Sequence, residues 1–310
     1  MISIYKSTEK GLESIEEIVN GCWINLTDPT PAEIEKVTAL GIPQDFITYP
    51  LDVDERARTE REDDGKILIV IKVPMYVGPT VDVPYTTIPL GFVITDTVLV
   101  TVCRHSHEII QEFASGRVRG LSTAKRNRFI LKVLLSTANK YLAYLRDINR
   151  TVDALEDKAQ KAMRNKEVYE LLKFQKSLVY FTTALKSNEL VFERLHRTQL
   201  FRMYPDDEDL LEDVITENQQ AIEVVNISNN ILSSMMDAFA SIISNNLNVV
   251  MKFLASITIV MSIPTIVTSF FGMNVDLPFD GFPFAWLIVI GISVGVGALV
   301  TFIFMKRDWF

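Results

Sequence analysis

The chain has 310 residues, 39 of them acidic and 31 basic, for a formal net charge of −8. That balance excludes the basic face needed to neutralise nucleic-acid phosphates, so nucleic acid is not an expected partner. Apolar residues make up 48% of the chain, yet acids and bases crowd before position 250 and are almost missing after it, which reads as a water-soluble part joined to a membrane part.

The opening stretch MISIYKSTEKGLES has no apolar signal-peptide core, and the expectation is that it is neither cleaved nor exported. The segment CWINLTDPTPAEIEKVTALG then reads as a strand followed by a helix. Thr30 or Asp28 caps that helix, with Pro31 in the first turn and Glu33 close behind. The run DVDERARTEREDD, from Asp52 to Asp64, mixes both signs and reads as a solvated face. DDGKILIVIKVPMY is a turn and a buried strand of β-branched residues, and TIPLGFVITDTVLVTVCR is two strands joined at Thr95-Asp96. No glycine-rich phosphate loop interrupts this α/β layer, and no nucleophile–base pair, paired-carboxylate motif or Walker motif stands out.

The cluster CRHSHE brings Cys103, His105, His107 and Glu108 together. A metal site is one reading, but the third histidine, His196, is far away, and a strand-to-helix connection is the better one. Cys22 and Cys103 have neither metal-ligand spacing nor a disulfide framework, so a reducing cytoplasm suits the soluble part.

From about Lys125 the pattern is helical: one amphipathic helix from Arg126 to Ala162, a second from Lys166 to about Arg202, and a third opened by Pro205. Its early acids lie at the positive end of the helix. No breaker follows until Pro264, so some 65 residues would form a helix about 100 Å long, entering the bilayer.

Phe253–Met273 and Phe282–Met305 are uncharged and long enough to cross the hydrocarbon core. Lys252 precedes the first span, Lys306 and Arg307 follow the second, and the loop between carries only Asp276 and Asp280. The positive-inside rule puts both termini in the cytoplasm and the loop outside, with Trp286 and Trp309 near the two interfaces. Gly291 and Gly295 form a GxxxG pattern, with Gly297 adjacent, of the kind that lets membrane helices pack closely.

Alternating steps of four and three from Asp237 pass through Ser241, Ser244, Asn248, Met251, Ala255, Thr258, Ser262, Thr265 and Ser269. Such steps hold one face of a helix toward a common axis. All but Met251 and Ala255 are polar. A single membrane hydroxyl reads as one bonded to its own backbone; four in register, continuing a polar stripe from below, read as a water-lined path. One helix cannot enclose a path and the second span has no such stripe, so several copies of the chain must build it around a symmetry axis.

Gly272-Met273-Asn274, at the outer end of the first span, resembles the GMN signature of the CorA family of divalent-cation channels. An aromatic residue before it, an acidic outer loop, a second span and the tail MKRDWF accompany it. The similarity continues upstream through DAFASIISNNLNVVMK and WINLTDPTPAEIEKV and covers essentially the whole chain. The resemblance implies an α+β/α membrane protein: a homopentameric funnel with a cytoplasmic α/β domain at 1–124 and helical stalk at 125–247. It also implies a pore helix at 248–273, an outer loop at 274–281, a second membrane helix at 282–305 and a cytoplasmic basic tail at 306–310, in the cell membrane.

The implied function is passive transport of Mg2+, and often Co2+ or Ni2+, with Mg2+ also regulatory and no organic cofactor. By resemblance, Asn274 rings the entrance with carbonyls, Gly272 allows the turn and Met273 packs behind it. Asn248, Met251 and Leu254 match the narrow cytoplasmic stretch, the latter two as an apolar gate. Asp237 matches the stalk acid of a regulatory Mg2+ site that cross-links neighbouring subunits. Val77 occupies the position of that acid's partner, with Asp82 as a substitute, and Asp276 and Asp280 replace the family's loop glutamate. The basic tail is shorter than the family's. A zinc-transporting branch of the same superfamily is the near alternative, although Met273 favours the magnesium branch. A membrane-anchored scaffold or enzyme is the distant one.

Overall fold

The computed structural model describes residues 1–9, 11–162, 165–198, 204–273, 283–307 and 309. Seven strands, β1 (Ile2–Thr8), β2 (Gly11–Ile15), β3 (Trp23–Thr27), β4 (Arg58–Arg61), β5 (Ile67–Tyr76), β6 (Tyr85–Ile94) and β7 (Leu99–Cys103), form one sheet in the order β2-β1-β3-β7-β6-β5-β4. Every neighbouring pair is antiparallel except β3 with β7, where Ile24 lies opposite Val100. A parallel pair needs a long crossover, and α1 (Pro31–Thr38), α2 (Gln44–Thr48) and strands β4 to β6 all fall within this one. β4 lies inside the stretch read from sequence as a solvated face; Thr59 at its centre is buried. That reading is corrected.

The continuous apolar run in β5 reflects burial on both faces. Ile67, Ile69, Ile71 and Val73 share one core with Leu90 and Phe92 of β6 and with Phe113, Phe129, Phe192 and Leu211. Those last residues belong to α3 (Glu108–Ala114), α4 (Arg126–Ala162), α5 (Asn165–Thr198) and α6 (Pro205–Phe271). Leu68 and Val70 share the opposite core with Val37, Phe46 and Ile47 of α1 and α2. Gly91 of β6 faces this second layer: a Cβ there would lie 2.2 Å from the Pro50 ring. Only glycine permits that approach.

Local chemistry fixes the element ends. Thr30, not Asp28, caps α1: its hydroxyl accepts from the Glu33 amide at 3.4 Å, and the Glu33 carboxylate accepts from the Thr30 amide at 2.8 Å. The edge of β5 beyond its last pair with β4, Arg58 with Val70, is closed by a side chain. Asn188 of α5 accepts from the Lys72 amide and donates to the Lys72 carbonyl, both at 2.8 Å. On the other side Lys72 faces Pro89, which has no N–H to give.

The chain divides into two compact units, Met1–Met235 and Met236–Phe310. The first holds the sheet, its two helical layers and the first part of α6. Asn218 and Asn229 tie that part of α6 to α5, donating to the Leu185 carbonyl at 3.2 Å and the Thr182 hydroxyl at 3.0 Å. The second unit holds the remainder of α6 and α7 (Ala285–Lys306), and α6 and α7 are long and apolar enough to cross a membrane.

Candidate functional site

The CRHSHE segment of the first unit joins β7 to α3. His107 caps α3 by accepting from the Ile109 amide at Nδ1, 3.3 Å, which leaves Nε2–H to donate to the Pro74 carbonyl at 2.8 Å. With both nitrogens engaged the ring has no lone pair for a metal. Burial holds its pKa below the ordinary value and pushes the Cys103 thiol up to about 11. Glu108 is taken by Lys140, 2.5 Å away, and by the Tyr144 hydroxyl. Among the described residues no group of three or more His, Cys, Asp or Glu side chains could hold a metal ion. This corner builds the fold.

The second unit carries the features that suit ion passage. Thr258, Thr265 and Ser269 are exposed and Ser262 is half-buried, all on one face of α6. Ser256 and Ile263 are buried; they lie roughly 140° around the helix from that face, at about 100° per residue. The polar face is thus turned away from the covered one. Asn248 and Ala255 are exposed, and Met251 and Leu254 are 57% and 52% exposed, large apolar side chains left open on the single chain. Asp237 is exposed as well.

Two of the polar-face hydroxyls bond back to the helix. Thr258 donates to the Leu254 carbonyl at 2.8 Å and Ser262 to the Thr258 carbonyl at 2.7 Å. Pro264 has no N–H for the carbonyl four residues earlier, and Thr268 donates to the Pro264 carbonyl at 2.9 Å. The sequence reading missed that bond, and only the proline in the preceding turn hinted at it. At the end of α6, Gly272 donates to the Thr268 carbonyl at 2.9 Å; a Cβ there would sit 3.1 Å from that same oxygen. Met273 follows, 53% exposed. Asn274, Asp276 and Asp280 lie outside the described residues, as does Phe282.

In α7 a Cβ at Gly291, Gly295 or Gly297 would meet nothing within 4 Å among the described residues. Trp286 is 59% exposed at the start of α7, and Trp309 stacks on Phe304 at 5.1 Å. In the first unit, Asp82 is held by Lys176 at 2.5 Å, and Val77 is exposed.

An α/β domain, a helix of 67 residues and a second apolar helix of 22 define a two-span membrane protein with a large soluble part. The model of the CorA-like Mg2+ transporter protein family matches residues 20–307. The chain belongs to that family, one of transporters rather than enzymes, which removes the anchored enzyme. It is 28% identical to the cobalt/magnesium transport protein CorA of Methanocaldococcus jannaschii, over 93% of this chain and 90% of that one. The complete structure of the CorA magnesium transporter from that organism has the same fold, with a TM-score of 0.87 at 24% identity, covering 100% of this chain and 99% of that one. The cytoplasmic domain of ZntB from Vibrio parahaemolyticus aligns less closely: TM-score 0.60 at 10% identity, over 78% of this chain and 98% of that one.

Proposed function

We propose that this chain assembles as a homopentamer in the cell membrane, both termini in the cytoplasm, and conducts Mg2+, with Co2+ and Ni2+ as further cargo, down the electrochemical gradient. The observation that carries the reading is the polar face of α6 from Asn248 to Ser269, turned away from the covered side marked by Ser256 and Ile263. Five copies of that face around an axis would make a wet path, and the second span would lie outside it. The relative from Methanocaldococcus jannaschii, a cobalt/magnesium transport protein, supports Mg2+ and Co2+ as cargo.

Each residue then has a role. Asp276 and Asp280 gather cations outside. Asn274 offers a ring of neutral carbonyl oxygens: Mg2+ gives up its waters reluctantly, and neutral oxygens hold the water shell without trapping the ion as carboxylates would. Gly272 permits the close turn and Met273 packs behind. Met251 and Leu254 form an apolar gate beside Asn248, and Asp237 binds regulatory Mg2+ from the cytoplasm. A divalent ion gains about 4.6 kcal/mol per 100 mV of inside-negative potential, so uptake needs no ATP.

The test is Mg2+ entry into proteoliposomes loaded with a Mg2+-sensitive dye, comparing wild type with Asn274→Ala. Wild type should conduct and the variant should lose most of the flux. Undiminished flux in the variant removes Asn274 from the entrance, and Zn2+ flux outrunning Mg2+ flux would move the chain to the zinc-transporting branch.

A further inference from the structure

The carbonyls of Leu254 and Thr258 can only accept, so in the bonds from Thr258 and Ser262 the proton must come from the hydroxyl. Each hydroxyl oxygen is left with lone pairs and no free donor. Back-bonding by itself is unremarkable, since it hides a hydroxyl in apolar surroundings. Ser256 is that case: fully buried, it donates to the Lys252 carbonyl at 2.8 Å. Thr258 and Ser262 differ in place. They stand one turn apart on the polar face, exposed and half-buried, and Ser262 bonds the carbonyl of Thr258 itself.

The geometry points to Thr258 and Ser262 as the residues that select the sign of the passing charge, forming a wall that accepts hydrogen bonds and cannot donate them. This rests on the reading that the polar face lines a path shared between copies. A hydrated cation turns its water oxygens inward and presents O–H donors to the wall. A hydrated anion binds those hydrogens and presents mainly oxygen lone pairs, for which the wall has no donor. Because the hydroxyls meet water and not the metal, they choose charge and hydration while leaving the choice among similar octahedral divalent ions to the entrance.

The test uses the full chain in proteoliposomes with Mg2+ and chloride fluxes measured together. In Thr258→Cys and Ser262→Cys, a water-soluble cationic methanethiosulfonate should modify the thiol and slow Mg2+ entry. The pair Thr258→Val with Ser262→Ala, which keeps size and removes the acceptors, should lower Mg2+ flux at least tenfold. Thr258→Ser with Ser262→Thr, which keeps both hydroxyls, should recover most of it. Ser262→Asn, which adds N–H donors at the same level, should raise chloride flux relative to Mg2+. Ser256→Ala, off the polar face, should leave both fluxes unchanged. Thiols that react and block, beside a Val/Ala pair conducting at the wild-type rate, would overturn the acceptor wall while leaving the path intact. Thiols that never react would overturn the shared path and the wall together.

Discussion

Lys72 on β5 has its amide and its carbonyl both bonded at 2.8 Å by one side chain, that of Asn188 on α5. Asn188 is fully buried, and the Tyr141 hydroxyl adds a 3.0 Å bond to the same carbonyl. The amide thus acts as one residue of a missing strand, closing the edge of β5 where β4 has ended. Asn188→Leu fills the space and leaves the Lys72 amide buried without a partner. A buried group stripped of its bond costs about 1–3 kcal/mol, so chemical unfolding of the full chain should show a loss of about 2–3 kcal/mol. A loss below half a kcal/mol would mean that water replaces the amide.

The buried His107 ties stability to pH. Burial is the main cause of its lowered pKa, only partly opposed by the Pro74 carbonyl and by Glu108. The folded chain therefore binds fewer protons than the unfolded one just below the ordinary value of 6.5. The stabilisation is complete above that value and is lost as the pH falls below it. Unfolding midpoints should drop as the pH falls below 6.5, and His107→Gln should be less stable at pH 8 but flatter as the pH falls. Equal slopes for the two proteins would show that the ring charges without cost.

Mg2+ sensitivity should follow Asp237 rather than Asp82. The Asp82 carboxylate is exposed and already engaged by Lys176, whereas Asp237 lies open on the polar face of α6. In proteoliposomes loaded with increasing internal Mg2+, Asp237→Ala should need several-fold more Mg2+ for closure, and Asp82→Asn should titrate like wild type. A wild-type curve for Asp237→Ala would remove Asp237 from regulation. A shifted curve for Asp82→Asn would show that Lys176 yields its partner to the ion.

What the sequence disclosed follows from burial. β5, β6 and β7 are covered on both faces and read as predominantly apolar strands, and α6 was delimited by Pro205 at one end and Phe271-Gly272 at the other. β1, β2 and β4 went unread as strands; β2 and β4 are the two edges of the sheet, and an edge carries charge to discourage further pairing. GLESI and RTER therefore look like surface. Asn188 was illegible for another reason: its partner is 116 positions away, and an isolated asparagine in a helix carries no pattern. In the membrane helix, the four-three register disclosed the polar face, but serine looks the same at 256 and 262. Only burial separates a hydroxyl hidden against the protein from one left facing outward.

The most direct measurement of the central claim is Mg2+ entry into liposomes holding the purified full chain, with equal Mg2+ on both sides at a level below that at which internal Mg2+ closes the wild type, no ATP, and an inside-negative potassium diffusion potential. With about 4.6 kcal/mol available per 100 mV, entry should begin when the potential is imposed, grow with its size, and be absent at zero potential. Entry that ignores the potential, or no entry at any potential, would contradict passive conduction of a divalent cation by this chain.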